Sequence, residues 1–197
     1  MFTQTTTQLL DSLKSPSNDG LWRQFDDRYR PVLVAFARSQ GAGEEDACEV
    51  AQLTLAQFAA DYRAGSYDRS RGRLSSWIIS IARHRLIDMA RARQRRRVQR
   101  GDSALVELPD DRTITEAWET ARRRVIFERA LKTLRSDTRM DPRTIRAFEL
   151  CAVRNTPPEA AAADCGMSVA EVYVAKNRAI KKLRDIVAQF TQEFDEE

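Results

Sequence analysis

The sequence has few of the residues that build metal, disulfide or nucleophilic sites. Among its 197 residues it contains three cysteines, Cys48, Cys151 and Cys165, with no CxxC spacing, and a single histidine, His84. A structural zinc site needs several closely spaced Cys or His ligands, and a thiol nucleophile needs a histidine beside it. We therefore expect no metal site and no cofactor, with the cysteines acting as small apolar residues.

Long apolar runs, a secretion signal and a glycine-rich phosphate loop are also missing. No stretch approaches the roughly 20 apolar residues that cross a bilayer. The start, MFTQTTTQLLDSLKSPSNDG, lacks the basic-then-apolar order of a signal peptide. The sequence therefore predicts a cytoplasmic protein without membrane insertion, and it gives no support to a helical enzyme. Residues 1–19 are interpreted as a flexible tail, with room for one short helix.

Charge is unevenly distributed, although the net charge is only +4. Residues 1–62 carry a net charge of −4, and residues 63–100 carry +10, with 12 arginines. Residues 101–121 carry −5, and residues 122–197 carry +3. Blocks of opposite sign indicate partners of both signs.

Apolar residues recur at helical spacing almost throughout, so the sequence predicts an all-α fold. We expect two small helical modules, residues 20–98 and 122–190. An acidic, largely extended linker over 99–121, with room for a helical turn near Trp118, joins them, and a tail, 191–197, follows, of which the last four residues, FDEE, are expected to be loose. Pro31 inside the first helical pattern predicts a kink or a helix start.

The C-terminal module carries the spacing of a DNA-reading helix-turn-helix. In TPPEAAAADCGMSVAEVYVAKNRAIKKLR, Thr156 and Glu159 predict one capping box, and Ser168 and Glu171 predict a second. Gly166, between them, suits the left-handed backbone of a three-residue turn. Two short helices joined in this way are what a helix-turn-helix requires.

The second of these helices has a predicted core face and a candidate DNA face. Its core face has apolar residues at helical spacing, namely Val172, Ala175, Ala179, Leu183 and Ile186. Side chains near its start could reach base edges, and its cations could meet phosphates. The candidate set is Ser168, Glu171, Tyr173, Val174, Asn177, Arg178, Lys181 and Lys182. The alternatives are a helix hairpin kept soluble by its lysines, and a Glu171 that only closes its cap.

The stretch YDRSRGRLSSW, residues 67–77, combines alternate arginines with two aromatic side chains. Arginine bonds phosphates and stacks on bases, and aromatic rings stack on unpaired bases, so this loop suits a single strand. A helix over about 75–97 follows, with a core face formed by Trp77, Ile78, Ile81, Ala82, Leu86 and Met89. The opposite stripe comprises Ser80, His84, Asp88, Arg91 and Arg95. A solvated basic helix after a Gly-Arg linker is the alternative.

The order DACEVAQLTLAQFAADY, YDRSRGRLSSWIISIARHRLIDMARARQRR, SVAEVYVAKNRAIKKLR resembles the extracytoplasmic-function (ECF) group of bacterial sigma factors, within the sigma-70 family. The resemblance covers about residues 20–98 and 123–190. It implies that the first module (region 2) docks on core RNA polymerase through Asp46, Glu49, Gln52, Leu55 and Phe58. It also implies minus-ten contacts, including capture of a flipped base, by Tyr67, Asp68, Arg69, Arg71, Arg73, Trp77, His84, Asp88, Arg91 and Arg95. The second module (region 4) would read the minus-thirty-five element with its 168–184 helix.

The leading hypothesis is a dissociable specificity subunit of bacterial RNA polymerase that catalyses nothing itself. Its partners would be core polymerase, promoter DNA as duplex and as non-template strand, and, as the family suggests, an anti-sigma protein. The acidic linker could thread a basic channel of the polymerase or serve as a solvated spacer. The alternative function is a stand-alone helix-turn-helix transcriptional regulator, which has no use for a loop that captures an unpaired strand.

Overall fold

The structure is a computed structural model that describes residues 6–13, 19–98, 111–136 and 139–194, and over these ranges the predicted all-α class is confirmed. The α-helices are α1 Thr6–Leu13, α2 Asp19–Ser39, α3 Glu44–Arg63, α4 Leu74–Val98, α5 Asp111–Arg135, α6 Pro142–Phe148, α7 Pro158–Cys165 and α8 Val169–Gln192. A 3₁₀ turn, Arg69–Arg71, precedes α4, and a π-helical stretch, Glu149–Val153, continues α6.

The chain divides into two compact units, and the boundary between them falls within α5. The N-terminal unit extends to Val125, and the C-terminal unit comprises Ile126–Phe194. Each has its own buried core, and each is described separately below.

The core of the N-terminal unit is built mainly from aromatic rings on α2 and α3. Phe25 stacks on Phe58 with ring centroids 4.6 Å apart and planes inclined by 8°. Tyr29 and Phe36 are also fully buried on α2. A second cluster of small residues on α2 and α3 is covered from α4 by Leu86 and Met89. Large rings in the centre and small residues at one end let α4 pack across α2 and α3.

The first helix belongs to this core. Leu9, Leu10 and Leu13 of α1 are buried, and the Tyr62 hydroxyl donates a 2.5 Å hydrogen bond to the Leu10 carbonyl. The Thr6 and Tyr29 hydroxyls are hydrogen-bonded at 3.0 Å. Residues 6–13 therefore form the one short helix for which the tail had room, and an apolar stripe on α1 packs it against the unit. The rest of the expected 1–19 tail that precedes α2 lies outside the described residues.

Where the chain is described, the segment expected to be a largely extended linker is helical well beyond one turn near Trp118. Helix α5 begins at Asp111, and Ile114 and Trp118 on its first turns are buried. Trp118 packs edge-on against Phe36, with ring centroids 5.8 Å apart. Burying a ring of this size stabilises a helix that its polar flanks alone would not predict. Residues 99–110 of the expected linker lie outside the described part of the chain.

Helix α2 passes through Pro31 without a break, so no helix starts at that residue. The interior of a helix can accommodate a proline when tertiary packing compensates for the lost hydrogen bond. Here the compensation comes from Phe25 and Tyr29 before Pro31 and from Leu33 and Phe36 after it, all of which are buried.

In the C-terminal unit, a cluster of small residues lies where α6, α7 and α8 meet. The central cluster is Ala147, Ala161, Ala162, Cys165, Val172 and Ala175. Short side chains let the helix backbones approach closely. Gly166 ends α7 with φ +60°, the left-handed conformation expected of the turn before α8.

The end of α8 closes this unit against the second half of α5. Arg129 donates a 2.7 Å hydrogen bond to Glu193, and its guanidinium lies 4.0 Å from the centre of the Phe190 ring. Phe194 is buried. Phe194, the first residue of the FDEE segment that was expected to be loose, is therefore packed into the unit. The last three residues lie outside the described ranges.

Candidate nucleic-acid interface

The arginine loop before α4 has a defined backbone. Asp68 accepts hydrogen bonds from the Ser70 amide at 2.9 Å and from the Ser70 hydroxyl at 2.7 Å, and so caps the 3₁₀ turn. These two hydrogen bonds, the hydroxyl bond first, hold the pKa of the exposed Asp68 carboxyl below its ordinary value. Asp68 therefore has a structural role in the loop, in addition to any contact with DNA.

The three arginines of the loop are solvent-exposed. Arg69, Arg71 and Arg73 all lie on the outside of the N-terminal unit. The Arg71 Nε lies 3.7 Å from the nearer Asp68 carboxylate oxygen, which is a long and exposed ion pair. A pair of that kind contributes little to stability. The Arg71 guanidinium can therefore turn toward a phosphate at little cost.

The two aromatic side chains of the loop stack on each other. The Tyr67 and Trp77 rings lie 5.1 Å apart with planes inclined by 10°, and Phe58 meets Trp77 edge-on at 5.3 Å. The centroids of the Tyr62 and Tyr67 rings lie 6.1 Å apart. The faces that Tyr67 and Trp77 turn toward each other are therefore covered, and a base that approaches Trp77 from the side of Tyr67 must first displace that ring.

Helix α4 presents the predicted stripe to solvent. Its buried face includes Leu74, Ile78 and Ala82, while Trp77, Leu86 and Met89 of the predicted core face are half-buried. The stripe on the other side is exposed at every predicted position, namely Ser80, His84, Asp88, Arg91 and Arg95. The loop and the stripe are consecutive in the chain and carry an excess of positive charge, as a phosphate backbone requires.

The residues expected to dock on polymerase fall into two groups. Glu49 and Gln52 are exposed on α3. Leu55 and Phe58 are buried, with Phe58 at the centre of the aromatic core, so neither side chain is on the surface of the unit. The apolar side chain exposed beside them is Leu53, at 42% exposure. Sequence reasoning missed Leu53 because the spacing of apolar residues along the helix did not place it on any predicted face.

Asp46, the remaining member of that set, forms an ion pair with Arg93 of α4. Both side chains line a cleft of about 440 Å³ between α3 and α4, together with Glu49, Leu53 and Arg85. The pair joins residues 47 positions apart, and no local sequence pattern could have indicated it. Because Arg93 already partners Asp46, Glu49 is the more available carboxylate of the two.

The second predicted capping box is confirmed and the first is wrong. The Ser168 hydroxyl accepts a 3.2 Å hydrogen bond from the Glu171 amide, and the Glu171 carboxylate accepts one of 2.6 Å from the Ser168 amide. The latter bond, with one from the Ser168 hydroxyl, lowers the pKa of Glu171. Helix α7 instead begins at Pro158, and its N-cap residue, Pro157, makes no side-chain hydrogen bond. The Thr156 amide donates to the Leu150 carbonyl at 2.8 Å, which ties the turn to the π-helical stretch.

Helix α8 separates its predicted faces as expected. All five predicted core residues are buried. The candidate DNA set is exposed except for the half-buried Lys182, and comprises Ser168, Glu171, Tyr173, Val174, Asn177, Arg178 and Lys181. Arg146 of α6 also donates two hydrogen bonds, of 2.9 and 2.7 Å, to Asp164 at the end of α7. This pair fixes the helix that precedes the turn, and sequence reasoning did not identify it.

Two further observations concern metal ions and membranes. Within the described ranges, no three His, Cys, Asp or Glu side chains come together in a way that could hold a metal ion. In the same ranges, no helix combines the length and the apolar character that a bilayer span needs.

Comparison with known families identifies the segment that contains the loop and the stripe. Residues 25–96 match the family model described as Sigma-70 region 2. The match runs from Phe25 in α2 through α3, the arginine loop and most of α4. No curated protein and no solved structure matches the chain. The region 2 match covers about a third of the chain, so the similarity to this family is shown for that segment.

Proposed function

We propose that the chain is an ECF-type sigma factor that binds core RNA polymerase and directs it to promoters. The N-terminal unit docks on the polymerase and opens the minus-ten element, and α8 reads the minus-thirty-five element as part of a helix-turn-helix. The observation that carries the proposal is the Sigma-70 region 2 match over the segment in which exposed arginines adjoin a stack of aromatic rings. A cytoplasmic location and a non-enzymatic role follow from this function.

Strand capture is favoured by the arrangement of rings and charges in the loop. A base that displaces Tyr67 gains a stack on Trp77 of the kind that it replaces, and base–aromatic stacking contributes about 1–3 kcal/mol per base. The net cost of exchanging one ring for another is therefore small. Arg69, Arg71 and Arg73 lie beside the stack and can hold the phosphates of the displaced strand.

Polymerase docking is best supported on the exposed side of α3. Glu49, Gln52 and Leu53 offer a carboxylate, an amide and an apolar side chain on one helix. Such a mixture suits a basic amphipathic helix on the partner, where charge steers association and the apolar contact lowers the dissociation rate. An anti-sigma protein could compete for the same surface.

The test of promoter opening uses the full chain with core polymerase in run-off transcription from a genomic promoter library. Permanganate reactivity of unpaired thymines measures strand opening. We expect Arg71→Ala and His84→Ala to lower opening severalfold while core binding stays unchanged. Arg23→Ala, an exposed arginine on α2, is the matched control and should have no effect. Unchanged opening in both loop and helix variants would contradict the proposed role of this surface.

The test of docking compares two exposed carboxylates of the N-terminal unit. Glu49→Lys should weaken association with core polymerase by at least tenfold, whereas Asp27→Lys on α2 should leave it unchanged. Asp46→Lys is expected to weaken association as well, but it also breaks the ion pair with Arg93. A chain that binds promoter duplex tightly without polymerase, and does not associate with polymerase, would instead be a stand-alone helix-turn-helix regulator.

A further inference from the structure

We infer that the exposed face of α8 selects A·T base pairs in the major groove. Tyr173 and Val174 contact thymine methyl groups, and Asn177 contacts adenine. This inference rests on the proposed function and names the base pairs that the C-terminal unit would read.

The three side chains occupy the part of α8 that points away from the core. At 100° per residue, Tyr173, Val174 and Asn177 fall within one sector of about 100°, centred opposite the buried row that contains Ala175 and Ala179. They lie in the first three turns of the helix, after the cap at Ser168. A recognition helix places residues of this part against base edges.

The exposure of two large apolar side chains on this face needs an explanation. Tyr173 is 51% exposed and its neighbour Val174 is 58% exposed. The apolar group that the major groove displays is the C5 methyl of thymine, and apolar side chains contact it in direct readout. Asn177, one turn further along, has the donor and acceptor that pair with N6 and N7 of adenine.

In the first two turns of α8, the residues that would read G·C pairs are absent from this face or already engaged. The first two turns of α8, Val169–Lys176, contain no arginine, and Lys176 is half-buried. Glu171 could accept from the amino group of cytosine, but its carboxylate is held by the Ser168 amide and hydroxyl. The first arginine is Arg178, and with Lys181 it is suited to the phosphates that flank the bases. Because Arg178 and Lys181 place positive charge beside the apolar side chains of Tyr173 and Val174, DNA is the partner that fits this face.

The experiment selects duplexes from a randomised library with the full chain at low salt, alone and with core polymerase. We expect selected sites to share A·T pairs. Replacing each contacted thymine by deoxyuridine should weaken binding about fourfold, as expected for one buried methyl group. Val174→Ala should bring the thymine-to-uracil affinity ratio close to one. Replacing adenine by 7-deaza-adenine should weaken the unmodified chain but not Asn177→Ala.

Lys181→Ala is the matched control, because a phosphate contact lowers affinity for thymine and uracil duplexes equally and preserves their ratio. Substitutions at these exposed positions leave the core of α8 intact. Three results would overturn the inference alone, provided that the chain still directs initiation. They are the selection of G·C-rich sites, equal affinity for thymine and uracil duplexes, and the binding of a protein segment, in place of DNA, to Tyr173 and Val174. Failure to bind any duplex in either condition, together with failure to associate with polymerase, would overturn the proposed function as well.

Discussion

The two units hold their candidate DNA surfaces on different kinds of core. In the N-terminal unit the arginine loop is fixed to a row of large rings, in which Tyr67 stacks on Trp77 and Phe25 on Phe58. In the C-terminal unit α8 rests on a cluster made mostly of alanines. A core of large rings is damaged by removing volume, and a core of small residues is damaged by adding it. The aromatic row of the N-terminal unit and the small-residue cluster beneath α8 should therefore respond oppositely to changes in side-chain size.

Spectroscopy can separate the units because their chromophores are unevenly distributed. All three tryptophans, Trp22, Trp77 and Trp118, belong to the N-terminal unit. Tryptophan fluorescence therefore reports unfolding of that unit alone, and far-ultraviolet circular dichroism reports the loss of helix in both.

The largest effect is expected from Phe58→Ala in the N-terminal unit. Phe58 is fully buried and contacts Phe25 and Trp77. Truncating a phenylalanine in such a core costs about 3–5 kcal/mol through lost burial and the cavity that remains. The measurement is urea unfolding followed by tryptophan fluorescence. Because Trp77 loses its contact with Phe58 in this variant, the arginine loop, whose Tyr67 stacks on Trp77, should also become more mobile.

The control for this prediction lies on the same helix. Leu53→Ala removes an apolar side chain that is 42% exposed, and it should change the free energy of unfolding by less than about 0.5 kcal/mol. Equal destabilisation by both substitutions would mean that the aromatic row is not the core of this unit. Binding to core polymerase should show the opposite order. When folded proteins are compared, Leu53→Ala should weaken binding more than Phe58→Ala does.

The sequence predicted the helical faces well because their periodicity is local. The exposed stripe of α4 from Ser80 to Arg95 and the buried row of α8 from Val172 to Ile186 follow from spacings of three and four residues. The cap at Ser168 was also predictable, since it needs only the residue three positions along. Each of these features depends on a single helix.

The features that the sequence did not reveal depend on contacts between distant residues. Burial of Trp118 against Phe36 extends α5 into the expected linker, and Tyr62 fixes α1 through the Leu10 carbonyl. The helical spacing of Leu55 is equally compatible with a position in the core and with a position on a docking surface. Only the packing of α3 decides between the two. Local spacing therefore predicted which residues share a face, and tertiary packing determined what that face contacts.

The second-largest effect is expected from adding volume to the C-terminal unit. Ala161→Leu places three more carbons in the fully buried cluster between α7 and α8, and overpacking of this kind costs about 1–3 kcal/mol. Circular dichroism should show an earlier loss of helix while the tryptophan transition stays in place. Ala163→Leu, at an exposed position of the same helix, is the control and should leave both transitions unchanged.

A smaller effect on stability is expected from glycine-to-alanine substitutions in the two candidate surfaces. Gly166 has φ +60°, so Gly166→Ala forces an alanine into the left-handed region and should destabilise the C-terminal unit by about 1 kcal/mol. Gly72 in the arginine loop has an extended backbone and open space around it, so Gly72→Ala should be neutral in thermal unfolding. Destabilisation by Gly72→Ala would show that the loop needs the flexibility of glycine rather than a particular backbone angle.

The smallest effects concern pH, and they compare two carboxylates that serine hydrogen bonds hold ionised. Because those bonds lower the pKa of Glu171 in the folded chain, its contribution to stability is fully present above the ordinary carboxylate pKa and is lost as the pH falls through the folded pKa. Between about pH 7 and about pH 3, Glu171→Gln should therefore flatten the pH dependence of helix unfolding in the C-terminal unit. An equally steep dependence in this variant would mean that other carboxylates are responsible.

Asp68 has the same sign of pKa shift, also caused by hydrogen bonds from a serine. Its bonds close one 3₁₀ turn on the surface, whereas those of Glu171 begin a helix of 24 residues. Acidification should therefore release the Ser70 amide locally without moving the tryptophan unfolding transition. The Ser70 amide resonance, followed by NMR, should titrate in the unmodified chain and not in Asp68→Asn, which keeps an acceptor oxygen without a titrating proton. A shift of the global transition in Asp68→Asn would mean that the loop is part of the cooperative core rather than a surface that can rearrange around a captured base.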